Sequence, residues 1–120
     1  MNDIRERSLD YLAAKHAQNV TADENLINKA LGVLQENGVY ACFLYLLANE
    51  GKSLVEETLN LFKEPTFGFD VPPKNEKNVE ILEYVADHIT ASLPRLLLAK
   101  EALEQMLIYA RYGAKAKDQA

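Results

Sequence analysis

Residues 34–48 read LQENGVYACFLYLLA, and this stretch decides the fold. Leu34 closes an apolar stripe that begins at Ile27 and passes through Ala30 and Leu31, the three- and four-residue spacing of one helix face. Asn37-Gly38 stops that helix, because glycine readily adopts the left-handed backbone that closes a helix end. From about Val39 to Asn49 a second helix follows at once. Val39, Cys42, Phe43, Leu46 and Leu47 form one of its faces, while Tyr40, Ala41, Leu44, Tyr45 and Ala48 cover most of the other. A helix apolar nearly all round belongs in the middle of a core or beneath a partner. In a small domain it is expected to be central.

Working outward, the same helical spacing recurs and alternating runs are scarce. Upstream, Thr21-Ala-Asp-Glu24 has the pattern of a capping box, with threonine accepting from a free backbone N–H and glutamate reaching back. Residues 3–18 form a further helical segment, with Ile4, Tyr11 and Leu12 on one side. Downstream, Gly51 ends the apolar helix. Ser53-Leu-Val-Glu56 is a second capping-box pattern and opens a short helix that Pro65 terminates. Residues 65–75 hold three of the four prolines together with Phe67 and Phe69. They read as the one long loop, its phenylalanines docked onto the bundle. Helix five is expected over about 76–91, with Val79, Leu82, Ala86 and Ile89 inward. After a break near Ser92 and Pro94, a last helix runs to about Lys117. The prediction is an all-α, compact single-domain bundle of five to six helices spanning residues 1–120, with no internal repeat.

Composition agrees with one globular domain. The chain has 120 residues, 48% hydrophobic and 26% charged, enough apolar surface for a sizeable core without covalent staples. Cys42 is the only cysteine, so no intramolecular disulfide or cysteine-rich metal site is possible. Met1-Asn2-Asp3 opens a charged segment rather than a basic start with an apolar run, and no stretch approaches a membrane span. A cytoplasmic location without membrane contact is the expectation.

Chemistry-bearing residues are sparse. His88 follows Asp87 directly, so the two side chains diverge by about 100° around a helix. Tyr84 and Ser92, at its helical offsets, are poor metal ligands. His16 has only Lys15, Gln18 and Asn19 nearby, and both histidines read as ordinary surface or cap residues. Cys42 sits on a core face, where a thiol stays protonated. Glu56-Glu57 and Glu101/Glu104 are acids of the kind usually solvated on helices, and the five glycines are isolated. No catalytic set, metal site, cofactor or small-molecule substrate is expected.

Charge is more informative. The net charge is −5, which argues against a generic nucleic-acid binder, but its distribution is uneven. Residues 1–91 hold eight Lys/Arg against fifteen Asp/Glu, whereas residues 92–117 hold five against two. On a helical wheel Leu96, Leu98, Leu103, Met106, Leu107, Ala110 and Ala114 share a broad apolar face. Lys100, Arg111 and Lys115 fall within about 60° of one another on the opposite side. Such a row can follow a phosphate backbone, or merely complement the dipole of its own helix. Glu104 lies in the same stripe and can pair with Lys100 four residues before it. Leu97, Ile108 and Tyr112 also land on the nominally polar side, which suits contact with another subunit or with the N-terminal helix.

Two stretches together carry a family resemblance. Residues 34–48, with their Asn-Gly break before a long apolar helix, and the closing helix with AKEAL at 99–103 and YARYGAKA at 109–116 are similar to the small helical subunit of Cmr (type III-B) CRISPR effector complexes. The resemblance covers about half of the chain and rests on no catalytic motif. It implies a non-enzymatic subunit whose copies stack along a ribonucleoprotein filament, beside the other effector subunits, and contact guide RNA–target RNA. It also implies that Lys100 and Arg111, extended by Lys115 and more weakly by Lys117, face RNA. The type III-A counterpart has similar size and helical content. A helical protein–protein adaptor without a nucleic-acid role is the reading from a different class.

Overall fold

Apolar spacing and glycine breaks set the architecture of the computed structural model, which describes the backbone of residues 2–73 and 77–119 and the side chains of 9–73 and 77–117. The helices are α1 (Asn2–Ala17), α2 (Glu24–Asn37), α3 (Val39–Ala48), α4 (Lys52–Phe62), α5 (Asn78–Tyr84) and α6 (Leu93–Gln119). A single 3-10 turn, Pro65–Phe67, follows α4, and α5 runs without a break into a π-helical segment, Val85–Thr90. No strand occurs among the described residues. The protein is an all-α bundle, and its radius of gyration of 13.6 Å is that of a compact chain of this length.

The core sits where α6 wedges between α1 and α2. α6 contributes Ala99, Ala102, Leu103, Met106, Leu107 and Ala110, all buried. Alanines at the contact let neighbouring backbones approach, while Leu103 and Leu107 fill the remaining space. α2 supplies the expected stripe, Ile27, Ala30, Leu31 and Leu34. α1 supplies Leu9, Leu12, Ala13 and Ala17. Tyr11, expected beside Leu12, instead points outward and is 66% exposed, and the side chain of Ile4 lies outside the described residues. Truncating one of the fully buried leucines to alanine costs roughly 2–5 kcal/mol in such surroundings.

Glycine acts at the two breaks for different reasons. Gly38 has φ 96°, a backbone that L side chains rarely adopt, and its N–H closes α2 on the Leu34 carbonyl at 3.0 Å. At the second break the positive φ belongs to Glu50 (61°), not to Gly51. Gly51 is needed for space. A Cβ there would lie 2.7 Å from Leu46 Cδ2 and 2.9 Å from the Leu46 carbonyl oxygen.

Neither capping box forms. Asp23, one residue before α2, accepts from Leu26 N–H at 2.8 Å and displaces Thr21 from the cap. At α4 the helix begins earlier than expected, at Lys52, so Ser53 already lies inside it and Gly51 takes the cap position without a side-chain bond. α3 buries Val39, Cys42, Phe43 and Leu46 as expected, but Tyr40 and Leu44 remain 39% and 49% exposed. It is buried along one face only.

The loop after α4 folds back through its aromatics. Phe67 and Phe69 stack with centroids 5.5 Å apart, and Phe69 meets Phe62 edge-on at 5.3 Å. Residues 74–76 of that loop and of the expected fifth helix lie outside the described residues. α5 and its continuation turn inward as expected at Ile89 and in part at Leu82, but Val79 is 64% exposed and Ile81, Tyr84 and Val85 are buried instead. Beyond Tyr84 the chain winds wider, with the i→i+5 bonding of a π-helix.

Candidate nucleic-acid interface

The cations singled out in the sequence all belong to α6. Its inner side is fixed by the buried residues from Ala99 to Ala110, and its two flanks by neighbours. On one flank Gln35 of α2 donates to Glu104 at 3.0 Å. On the other the Tyr109 hydroxyl donates to Asp10 of α1. Lys100 and Arg111 are half-buried along the α2 side, and Lys115 is exposed. At 1.5 Å per residue the row from Lys100 to Lys115 is about 22 Å long.

None of Lys100, Arg111, Lys115 and Lys117 forms an ion pair among the described residues. The expected pairing of Glu104 with Lys100 is replaced by the bond to Gln35. The Arg111 guanidinium lies 5.6 Å from the centroid of the Tyr112 ring, a cation–π contact that holds the charge near the surface. Its Nε is buried without a hydrogen-bond partner. Lys117 stands apart from the row. It borders a groove of about 560 Å³ between the end of α1, the α1–α2 connection and α6, with Asp23 and Glu24 on the same rim.

Leu97, Ile108 and Tyr112 lie beside the cation row. Leu97 is 56% and Tyr112 60% exposed, and Ile108 is half-buried. Ile108 packs in part against the core, while Leu97 and Tyr112 stay open.

The histidines have environments that no local spacing signalled. His16, read from the sequence as a surface or cap residue, is only 7% exposed. Its Nδ1 lies 2.6 Å from Glu57 Oε2 and its Nε2 2.6 Å from Glu64 Oε2. Both ring nitrogens face carboxylates. Lys15 reaches Glu64 at 3.5 Å, and Asn19 donates to Glu57 at 3.3 Å. The hydrogen bond from His16, helped by the Lys15 charge, holds the Glu64 carboxyl below its usual value. These contacts tie α1 to α4 and to the turn after it.

His88 is different. It lies in the π segment, half-exposed, with Nδ1 2.8 Å from Asp70 Oδ2. Arg95 donates to the same carboxylate oxygen at 2.9 Å and to the His88 carbonyl at 3.2 Å. The Tyr84 ring stacks on His88 at 5.5 Å, and its hydroxyl donates to the Asp70 carbonyl at 2.7 Å. Burial pushes that phenol up to about 12. The cluster pins the loop to the start of α6.

Cys42 is fully buried, and its thiol is pushed up to about 12 by desolvation, with Sγ 3.5 Å from the Ala30 carbonyl. A thiol in that state is a core side chain, not a nucleophile. Among the described residues no group of three or more His, Cys, Asp or Glu side chains is placed to hold a metal ion, and no helix is long and apolar enough to cross a membrane. Comparisons with protein-family models, with curated proteins and with solved structures find no match to this chain.

Proposed function

We propose that this chain is a non-catalytic small subunit of a type III CRISPR ribonucleoprotein effector, contacting guide RNA–target RNA through Lys100, Arg111 and Lys115. One observation carries the reading: these three cations share one side of α6 and, with Glu104 of the same stripe turned to Gln35, form no ion pair among the described residues. Cations left unpaired along about 22 Å of helix can displace counterions from a phosphate backbone without reading sequence. Leu97 and Tyr112, open beside them, together with the half-buried Ile108, supply the contact to other effector subunits or to further copies. Lys117, on a separate side, contributes less.

Charge reversal tests the proposal. In the assembled complex, Lys100→Glu/Arg111→Glu/Lys115→Glu is expected to weaken target-RNA capture and to reduce the slope of log affinity against log salt by about 2–3. A folded triple variant with unchanged capture and slope would overturn the RNA role. It would favour the second reading, a helical protein–protein adaptor, to which the overall charge of −5 and the open apolar row lend weight.

A further inference from the structure

Asn37-Gly38, the pair that separates α2 from α3, carries chemistry of its own. Of the nine asparagines in the chain, only Asn37 is followed by glycine. A backbone nitrogen can attack the carboxamide carbon of the asparagine before it, and glycine, without a Cβ, hinders that attack least. The surroundings leave the reacting groups accessible. Asn37 is exposed, and the position a Cβ would take on Gly38 has no other part of the fold within 4 Å. The carboxamides of Asn19, Asn49, Asn60 and Asn78 each take part in a hydrogen bond. That of Asn37 has no partner among the described residues. One bond opposes the reaction. The Gly38 N–H closes α2 on the Leu34 carbonyl at 3.0 Å, and Asn37 is the last residue of the helix. While that bond holds, the nitrogen is engaged and the helical ψ keeps it off the line of attack.

We propose that Asn37 is a site of spontaneous modification, converted to aspartate and isoaspartate at a rate set by fraying of the C-terminal end of α2. When the last turn opens, the Gly38 nitrogen gives its proton to hydroxide and bonds to Asn37 Cγ. The side-chain nitrogen takes up a proton and leaves as ammonia, and a cyclic imide remains. Water then opens the ring at one of its two carbonyls. Opening at one restores an ordinary aspartyl chain. Opening at the other routes the backbone through the former side chain, one carbon longer. Both products place a carboxylate at the end of a helix where the dipole disfavours it. The isoaspartyl form also lengthens the break just ahead of Val39, a buried residue of α3. The change falls on the junction that sets α2 against α3, and it needs neither RNA nor a partner.

Incubation of the full chain in mildly alkaline buffer, with and without urea, tests the proposal. Peptide mass mapping follows each asparagine, and enzymatic methylation of isoaspartate measures that product. Asn37 is expected to convert before any other asparagine named above, with isoaspartate among the products. Opening a helix end costs far less than unfolding the domain, so conversion in buffer is expected to be between about tenfold and a thousandfold slower than in urea. Asn37→Gln, whose longer side chain closes the ring poorly, is expected to keep native helicity by circular dichroism and to abolish the early conversion. Earlier conversion at another of these asparagines, or early conversion that persists in the glutamine variant, would overturn the proposal. So would a rate ratio outside that range. Equal rates would mean that the end of α2 sets no barrier, and a larger ratio that only global unfolding exposes the pair.

Discussion

His16 and His88 each bond a carboxylate through the ring, yet they occupy opposite regimes of protein electrostatics. His16 is buried at the seam of α1 and α4, with side-chain exposures of 9% for itself, 12% for Glu57 and 19% for Glu64. His88 and Asp70 lie at 47% and 51%, largely in water. The same pair chemistry is therefore worth different amounts. Removing the ring from the shielded cluster leaves Glu57 with Asn19 and Glu64 with Lys15, with little solvent to replace the lost bonds. Removing it from the open cluster leaves Asp70 with Arg95 and with water.

His16→Ala should expose that contrast most strongly. It is expected to lower unfolding free energy by about 3 kcal/mol, read as a reduced urea midpoint with unchanged slope. A loss below about 0.5 kcal/mol would show that the cluster is as solvated as the outer one. Acid titration gives the next effect. Because the folded state holds Glu64 below its usual value, its contribution is fully present above the unfolded value and is lost as pH falls through the folded one. Wild type should therefore lose stability progressively below about pH 4.5, and Glu64→Gln should flatten part of that decline. An identical acid limb in the variant would remove Glu64 from the account. The smallest effect belongs to His88→Ala, expected to change stability by no more than about 0.5 kcal/mol. A larger loss would mean that the π segment depends on the Asp70 contact.

What could be read from the chain divides along the range of the interactions. The stripe Ile27, Ala30, Leu31 and Leu34, the stop at Gly38 and the apolar side of α6 each express a period contained within one helix, and all three were legible. The grouping of Lys100, Arg111 and Lys115 was legible for the same reason. Both caps failed by two residues: Asp23 rather than Thr21 accepts from a free N–H of α2, and Gly51 rather than Ser53 opens α4. On α5 the expected inward face held at Ile89 but failed at Val79, in the first turn, where Ile81 and Tyr84 take the inward positions. His16 was misread because its partners lie 41 and 48 residues away, beyond any local pattern. That cluster belongs to the tertiary fold alone.

The wedge of α6 between α1 and α2 also shapes how the chain must be born. Synthesis releases α1 and α2 first, with the apolar sides of both still lacking the surface that will cover them. The residues that cover them, Ala99 to Ala110, emerge after most of the polypeptide. Closure therefore spans a long stretch of sequence, which slows folding, and nascent chains stalled before Ala99 should remain open to proteases and chaperones. The helix that presents the cations is thus also the last part needed to finish the domain.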